Sequence, residues 1–474
     1  MTEVTPIIQH HSTSPLYAQI YQYFRDEIQA GRLTPHTRLP SVRHLSRSMG
    51  VSKMTIETAY HQLLAEGYID SRERSGFFVA SLDLTDWSEQ LPALFKPGTV
   101  FEPPHLKYDD YQINFHGSVI DVDHFPFTLW RKCLQEALER YPEDFAFYGD
   151  NQGEPELREE IARYLRQART VACDAGQIVL GTGLHECVSL LSLMLRVGHQ
   201  RVAIEEPGYS NMRMVMEQHG LKVVPVELDE DGINIDQLIL SGATAVYVTP
   251  AHQYPYGMVM SITKRLKLLQ WAKQTGGVIL ENDYDGEFRY NVKPAPSLQG
   301  LDQDGTVVYI GNFSKSLSPA LRMNYMVLPA PLLTLYHQQF HIYPAPVPRL
   351  QQRALQLFMQ KGHWDKHIRR MRKIYEKKHQ CLLDAIHRQF ANHATVLAQS
   401  AGLHILLEMD SDSTSEELAE QAAHAGIKVY TITHTWMNHT SNCFDRPRIL
   451  LGFGGLSADE IEEGIRLLAE LWLA

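Results

Sequence analysis

The stretch GNFSKSLSPALRMNY contains a lysine, Lys315, and an arginine, Arg322, whose types and spacing could hold and activate a ligand. A lysine kept from full solvation can form a Schiff base with an aldehyde. An arginine can bind a phosphate through two parallel hydrogen bonds. Because a fully solvated lysine is a poor nucleophile, the residues around Lys315 distinguish a Schiff-base amine from an ordinary surface lysine. Asn312 and Ser314, beside the lysine, are further candidates for ligand binding.

Three earlier segments carry candidate ligand-binding residues. GTGLHE is rich in glycine and enters a predicted helix, so the backbone N–H groups of Gly183, Leu184 and His185 can cradle a phosphate. Tyr209, in EEPGY, follows a predicted strand and could lie on a flat ligand, although a structural tyrosine would fit the same place. The loop TPAHQYPYG adds polar groups, of which Gln253 is a candidate contact.

The segment ENDYDGEFRY places Asn282 and Tyr284 two residues apart. In an extended strand these two side chains face one side and Asp283 faces the other. A phosphate cradle, a stacking ring, a phenol, a lysine and an arginine together suit pyridoxal 5'-phosphate (PLP). This cofactor has an anionic phosphate, a flat ring, a phenolic oxygen and an aldehyde.

The elements that must position these residues follow a regular order from Ile113 onward. Helical segments alternate with short apolar runs, which are QIVLGTG, RVAIEEPG, KVVPVEL, TAVYVTP, GGVILENDY and TVVYIGNFS. This order predicts an α/β domain with a mostly parallel sheet. Ligands of such sheets bind beyond the carboxyl ends of the strands, which is where the candidate residues lie.

The first eighty residues differ in kind from the rest of the chain. They carry eight Lys/Arg and seven Asp/Glu, which gives a net charge of +1. Because the whole chain has a net charge of −11, the remaining residues have a net charge of −12. The segment PLYAQIYQYFRDEIQAGRL predicts an amphipathic helix. Two short helices then begin at Ser41 and Ser52 around the turn at Gly50, as in a helix-turn-helix. A hairpin signal at Ser75-Gly76 predicts a basic wing, although a small helical domain with a solvated basic face would show similar charge.

Composition limits the cellular setting. The chain of 474 residues has five cysteines without a CxxC pair or a zinc quartet, so no metal is expected and reduced thiols indicate a cytoplasmic protein. No signal peptide and no membrane-spanning run is predicted. We expect domains at 1–82 and 113–474, joined by a proline-containing linker at 83–112.

The motifs resemble those of two known families in a single chain. LPSVRHLS and GVSKMTIETAYHQLLAEGYI resemble a GntR-type winged helix-turn-helix. FYGDNQGEPELREEIARYLR, GTGLHE, EEPGY, TPAHQYPYG, ENDYDGEFRY and GNFSKSLSPALR occur in the order of fold-type I aminotransferases. The chain as a whole therefore resembles the MocR/GabR-type transcriptional regulators.

This resemblance implies roles for individual residues. Lys315 would form the Schiff base with PLP, Tyr209 would stack on its ring, and Tyr284 would bind its phenolic oxygen. Arg322 and the backbone from Gly183 to His185 would hold the phosphate. The operator contacts that the resemblance implies are Arg43, Arg47, Ser52, Lys53 and Thr55, with Arg72, Ser75 and Gly76 on the wing.

The resemblance also implies a homodimer. Tyr148 would reach the site of the other subunit. The subunits would be arranged head to tail, with each DNA-binding domain packed on its partner.

Two departures from the family pattern affect the expected chemistry. Family members usually carry Asp-Asp-Tyr where this chain has Asn282-Asp283-Tyr284, so an amide faces the pyridine nitrogen of PLP unless a register shift turns Asp283 inward. An amide holds a proton on that nitrogen less well than a carboxylate. Gly454-Gly455 stands where relatives that bind an amino-acid carboxylate carry an arginine. Arg448 could replace that arginine as a clamp, or it could be a surface residue on an edge strand.

These observations favour a PLP-responsive transcription regulator with at most weak transaminase activity. The effector would be PLP itself or a PLP adduct at Lys315, in vitamin B6 or amino-acid metabolism. A working aminotransferase with a DNA-binding domain is the alternative. A DNA-binding protein whose large domain is only a dimerisation scaffold is the third hypothesis.

Overall fold

The computed structural model of the chain describes residues 14–72, 75–81, 111–290, 296–343, 346–397, 399–437 and 446–473. The chain divides into two compact units, Met1–His105 and Leu106–Ala474. The predicted linker at 83–112 lies almost entirely outside the described residues, so its boundaries stay predictions.

The small unit is a winged helix-turn-helix. Its elements are α1 (Leu16–Gln29), α2 (Val42–Met49), α3 (Lys53–Ala65), β1 (Ile69–Arg72) and β2 (Gly76–Val79). The hydroxyl of Ser41 accepts the His44 N–H at 3.2 Å and starts α2, while Ser52 accepts the Thr55 N–H at 3.1 Å and starts α3. Gly50 ends α2 in the left-handed conformation, with φ of 65°. The predicted caps, turn and wing are therefore confirmed.

The large unit alternates helices and strands, as predicted. Its helices are α4 (Phe127–Arg140), α5 (Pro155–Ala168), α6 (Leu184–Leu195), α7 (Ser210–Gln218), α8 (Ile235–Ser241), α9 (Ile262–Thr275), α10 (Leu298–Leu301), α11 (Ala330–Leu335), α12 (Arg349–Gln360), α13 (His363–Phe390), α14 (Ser415–His424) and α15 (Ala458–Trp472). Its strands are β3 (Ile113–Asn114), β4 (Ile178–Gly181), β5 (Arg201–Glu206), β6 (Lys222–Asp229), β7 (Gly232–Ile233), β8 (Ala245–Val248), β9 (Val278–Asp283), β10 (Val307–Asn312), β11 (Asn324–Val327), β12 (Ala394–Leu397), β13 (His404–Met409), β14 (Ile427–Lys428), β15 (Tyr430–Thr431) and β16 (Arg448–Gly452).

Among the described residues, eight strands form the central sheet in the order β4-β11-β10-β9-β8-β5-β6-β7. The five strands from β10 to β6 are mutually parallel, and β11 and β7 run antiparallel to their neighbours. Each of the six predicted apolar runs forms one of these strands. Because β5, β8, β9 and β10 are parallel, their carboxyl ends lie at one edge and bring the following loops together.

Besides the short parallel pair β3-β14, the described residues of the large unit form a second sheet of four strands. Its order is β12-β13-β16-β15, and β13 and β16 are almost fully buried. The long helix α13 and the C-terminal helix α15 pack on this sheet through an apolar cluster that includes Tyr375, Leu382 and Ile465. The turn after β16 closes against the segment at Val119.

Strand β9 carries different chemistry on its two faces. On one face Asn282 donates to the hydroxyl of Tyr247 at 2.8 Å. On the other face Asp283 accepts Arg169 Nε at 2.8 Å and the Tyr309 hydroxyl at 2.7 Å. Burial raises the pKa of Asp283, but the adjacent Arg169 outweighs burial, and the pKa is lower than usual. The carboxylate therefore belongs to a buried ion pair behind the strand.

We predict that Asp283→Asn destabilises the fold strongly, because it leaves the Arg169 guanidinium buried without its counter-charge. The expected loss is about 3 kcal/mol in urea unfolding at pH 7. This stability is present above the ordinary carboxyl pKa of 3.8 and is lost as the pH falls through the lowered value. Glu463→Gln, which breaks an exposed pair with Arg466, is the control and should leave the unfolding midpoint almost unchanged. Equal effects of the two substitutions would contradict this account.

Candidate functional site

Lys315 is held at the carboxyl end of β10 by the side chain of Asn312. The side-chain oxygen Oδ1 of Asn312 accepts the backbone N–H of Ser314 at 2.9 Å and of Lys315 at 3.4 Å. Its NH2 group donates to the Tyr284 carbonyl at 3.0 Å, which ties the lysine loop to β9. These contacts fix where the lysine side chain starts.

The amine of Lys315 is partly withdrawn from water. Its Nζ donates a hydrogen bond to the Gly117 carbonyl. Desolvation lowers the pKa of Lys315 to about 8, although the nearby Asp285 acts in the opposite direction. A larger fraction of the amine is therefore neutral and nucleophilic near neutral pH than in a surface lysine.

Arg322 lies directly over the glycine that begins α6. Gly183 is the N-cap of this helix with φ of 135°, and a Cβ there would collide with the Arg322 guanidinium. Arg322 itself adopts the left-handed conformation, with φ of 48°. The pKa of His185 is lowered by burial and by Arg322. The side chain of Leu184 packs in the core, so only its backbone can contribute to an anion site.

Tyr209 stands at the start of α7 with its ring among other rings. Tyr254 lies 5.6 Å away and His185 lies 6.4 Å away, both edge-on. Asn211 Nδ2 is 3.3 Å from the Tyr209 hydroxyl. The ring is therefore held from two sides.

Asn282 has one polar atom to spare. Its NH2 group donates to Tyr247, and within the part of the chain that the structure describes its buried Oδ1 has no hydrogen-bond partner. The Tyr247 hydroxyl can also donate, so a half-turn of the amide would present the NH2 group instead. In either orientation a ligand group could be bound here, since leaving a buried polar atom unpaired is costly.

Gln253 is placed differently from the other candidates. Its Nε2 donates to the carbonyls of Pro207 at 2.9 Å and Tyr254 at 2.6 Å, and its Oε1 accepts the Tyr256 N–H at 3.1 Å. The amide is thus committed to the surrounding loop backbone and stabilises that loop.

Several residues near Lys315 were not singled out from the sequence. They are His116, Gly117, His252, Asp285 and His404. His252 Nδ1 lies 2.9 Å from the Tyr284 hydroxyl and 2.9 Å from Asp285 Oδ2. His252 and Asp285 stand inside the motifs TPAHQYPYG and ENDYDGEFRY, so polarity within a motif that the sequence predicts to bind a ligand was the available signal. His116, Gly117 and His404 come from distant segments that carry no such signal.

Arg448 is not available as a free carboxylate clamp. Its Nε lies 2.8 Å from Glu408 Oε2, and its Nη1 lies 3.0 Å from the Tyr256 hydroxyl. The guanidinium lines a cavity of about 490 Å³ together with Leu397 and Met258. Glu408 already neutralises its charge.

Close packing explains why glycine occupies both positions after β16, Gly454 and Gly455. A Cβ at Gly454 would lie 2.6 Å from the Val119 carbonyl oxygen, and a Cβ at Gly455 would collide with the Val119 side chain. An arginine at Gly455 would therefore displace the segment that continues from Gly117.

Tyr148 lies apart from the residues around Lys315. Its side chain is 95% exposed, and the neighbouring Phe145 and Phe147 are 65% and 73% exposed. It borders a cavity of about 350 Å³ that Arg349 and Pro348 also line. Three exposed aromatic side chains close together in the chain form an unusual apolar surface for one subunit.

The basic residues of the helix-turn-helix are exposed. Arg43, Arg47, Lys53 and Arg72 all face solvent, as do Ser75 and Gly76. Ser52 Oγ lies 2.8 Å from Thr55 Oγ1, so the two hydroxyls cap the helix and contact each other. Arg72 lies over the Phe78 ring, 4.5 Å from its centroid, which orients it on the wing.

Comparisons with known proteins agree with this division. Residues 16–79 match the bacterial regulatory proteins of the gntR family, and residues 111–463 match aminotransferase class I and II. The chain is similar to the HTH-type transcriptional regulator YhdI of Bacillus subtilis, with 39% identity over 99% of this chain and 98% of the relative. It is also similar to the probable rhizopine catabolism regulatory protein MocR of Rhizobium meliloti, with 30% identity over 99% of this chain and 96% of that protein.

A third relative is the HTH-type pyridoxine biosynthesis transcriptional regulator PdxR of Corynebacterium glutamicum, with 29% identity over 95% of this chain and 94% of the relative. Among solved structures, the kynurenine aminotransferase of Pyrococcus horikoshii superposes with a TM-score of 0.68. It covers 77% of this chain and 92% of its own, at 23% identity. This likeness shows the fold of the large unit.

The fold and the site thus define a transcription regulator with a winged helix-turn-helix and a fold-type I aminotransferase domain. The chain belongs to the MocR-type HTH transcriptional regulators. Within the described ranges no helix is long and apolar enough to cross a bilayer.

We predict that Lys53→Ala and Arg43→Ala each weaken binding to duplex DNA, because each removes a cation from the exposed face of the helix-turn-helix. Loss of one phosphate contact should reduce the slope of log affinity against log salt by roughly one. Fluorescence anisotropy at several salt concentrations measures this slope. Arg25→Ala is the matched control, since Arg25 is paired with Asp26 on α1. An unchanged slope in both test variants would show that α2 and α3 do not contact the phosphates.

Proposed function

We propose that the chain is a DNA-binding transcription regulator that binds PLP, with PLP or an adduct formed at Lys315 as its effector. The observation that carries the proposal is the desolvated Lys315 at the end of β10. The same unit holds Arg322 against Gly183, the N-cap of α6. The names of two solved structures and one sequence relative support it, since one structure contains PMP and another N-(5'-phosphopyridoxyl)-L-leucine, and PdxR is a regulator of pyridoxine biosynthesis.

The residues present fit this cofactor. Arg322 and the N-terminus of α6 offer charge and N–H groups to a phosphate. Tyr209 offers a ring to stack on, and Asn282 offers its spare amide atom to a ring nitrogen. Burial raises the pKa of Tyr284 well above its usual value, so its phenol keeps its proton and can donate to an anionic oxygen.

Bound PLP supplies an electron sink, whose strength depends on a proton at its ring nitrogen. Asn282 can hydrogen-bond that nitrogen but brings no negative charge, and the nearest carboxylate along the strand, Asp283, faces the other way. Arg448 is neutralised by Glu408, so an amino-acid carboxylate has no free cation there. Both features favour a ligand-sensing role over transamination and favour PLP itself as the effector.

A route from the site toward the linker follows from the order of the chain. Lys315 holds the Gly117 carbonyl, and Gly117 lies four residues after Ile113, where the predicted linker ends. Covalent attachment would reduce the protons on Nζ from three to at most one and would therefore change this hydrogen bond. The effector can shift the conformational balance by no more than its difference in affinity for the two states.

A homodimer is part of the proposal. The exposed aromatic side chains at Phe145, Phe147 and Tyr148 are suited to burial against a second copy, and Tyr148 would reach the site of that copy. Burying three such rings would contribute substantially to dimer stability.

We predict that PLP gives the wild-type protein a saturable visible band that borohydride fixes covalently, and that Lys315→Ala lacks this band. The rate of attachment should rise with pH until about 8 and then level off, because the neutral amine is the nucleophile. Lys315→Arg is the matched control, since it keeps a cation near Gly117 without a reactive amine. PLP should change the DNA affinity of the wild type alone. A PLP-dependent change that persists in both variants would place the effector elsewhere.

We predict that Asn282→Asp converts a poor transaminase into a better one. Mixed with L-amino acids, the PLP-loaded wild type should lose its visible band at least about tenfold more slowly than this variant, a difference equal to one pKa unit of interaction. Asn282→Ala, which adds no charge, should not gain activity. Rapid conversion by the wild type would favour the aminotransferase hypothesis.

A further inference from the structure

His252 and Asp285 form a buried pair behind the Tyr284 hydroxyl. His252 is 1% exposed and Asp285 is 1% exposed. His252 Nδ1 lies within hydrogen-bond distance of both Asp285 oxygens, at 2.9 and 3.2 Å, and 2.9 Å from the Tyr284 oxygen. A single ring nitrogen is therefore shared between a carboxylate and a phenol.

The carboxylate determines which way the hydrogen bonds run. An ionised carboxylate only accepts, so Nδ1 must carry the proton that faces it. The His252 Nε2 is buried and has no partner among the described residues, so a second N–H there would be left unpaired at high cost. Nδ1 therefore carries a single N–H, which is shared as a donor between the Asp285 carboxylate and the Tyr284 oxygen. The Tyr284 oxygen accepts this bond, which leaves its own proton free to point elsewhere.

The fold makes special room for the pair. Gly402 precedes β13 with φ of +79°, a conformation that side-chain-bearing residues rarely adopt. A Cβ at this position would collide with the His252 ring and with Asp285. The His404 ring lies against His252, with centroids 4.9 Å apart. A glycine and a second ring therefore enclose the pair.

We propose that Asp285 and His252 are positioning residues, which orient the Tyr284 hydroxyl as a hydrogen-bond donor into the Lys315 site. The proposal rests on the proposed function, since the acceptor would be the phenolic oxygen of bound PLP. Neither residue touches the ligand in this role. They act through Tyr284.

Several charged and polar groups near Tyr284 also influence its pKa. Asp285, Tyr254, Glu205 and Tyr247 all act on its pKa through charge. Asp285 also raises the pKa of Lys315 directly, whereas His404 is kept neutral by burial. A direct charge effect of Asp285 must therefore be separated from an effect through Tyr284.

The two effects have opposite signs. A donor to the phenolic oxygen stabilises its anionic form, so losing the donor raises the pH at which the bound chromophore loses its proton. Losing the negative charge of Asp285 destabilises the protonated, cationic form of the chromophore at Lys315 and lowers that pH. His252→Gln, which keeps the Asp285 charge, should raise the midpoint of the visible pH titration by about one unit for one hydrogen bond, and Asp285→Asn should raise it by less because its two effects oppose each other.

The test is a double-mutant cycle on the full chain loaded with PLP. Tyr284→Phe should raise the midpoint similarly, and adding His252→Gln to it should cause no further rise. A midpoint that falls in Asp285→Asn and stays unchanged in His252→Gln would overturn the proposal, because the carboxylate would then act by charge alone. Thermal melting of each variant identifies any that fail to fold, and His252→Gln is then decisive by itself.

A measurement on the PLP-free protein is independent of the proposed function. Nitrogen-15 spectra of histidine-labelled protein, with His252→Gln used for assignment, should show Nδ1 protonated and Nε2 unprotonated. The opposite tautomer would overturn the proposal even if PLP binds. Absence of a PLP band with the expected tautomer would instead count against the proposed function alone, and the orientation of Tyr284 would stand.

Discussion

The alternation of side chains along β9 is the constraint on which the site depends. Consecutive residues of a strand point to opposite faces, so one three-residue segment serves two environments. Asn282 and Tyr284 face the Lys315 side, while Asp283 closes a buried ion pair with Arg169 on the far side. The ion pair anchors the strand and so fixes the positions of Asn282 and Tyr284 on the opposite face. A shift of one residue would exchange the amide for a carboxylate and would leave Arg169 unpaired in the core.

Much of the fold could be predicted because its signals are local. The six apolar runs and the serine caps of α2 and α3 are properties of short segments, and hydrophobic burial and helix capping act over such lengths. The orientation of Asn282 and Asp283 also followed from strand geometry alone. The position of Lys315 could be predicted because the carboxyl ends of parallel strands converge and Lys315 follows one of them.

The contacts that tune the site could not be predicted in the same way, because they join distant segments. The Gly117 carbonyl that Lys315 binds is 198 residues away in the chain. The Glu408 that neutralises Arg448 comes from a neighbouring strand whose register no pattern fixes. Gln253 lies in a motif that was predicted to bind a ligand, yet its amide forms hydrogen bonds with the backbone around its own loop. Residue type indicates what a side chain can do, but the competing partners are known only once the chain is folded.

The amide at Asn282 has a consequence for the kind of information the regulator can convey. A site that converts its ligand depletes it, so the state of the protein reports the rate at which ligand arrives. A site that holds the ligand without converting it comes to equilibrium, and its occupancy reports how much ligand is present. In a regulator of the proposed kind, replacing one carboxylate with an amide therefore changes a protein that reports the rate of ligand supply into one that reports the ligand concentration.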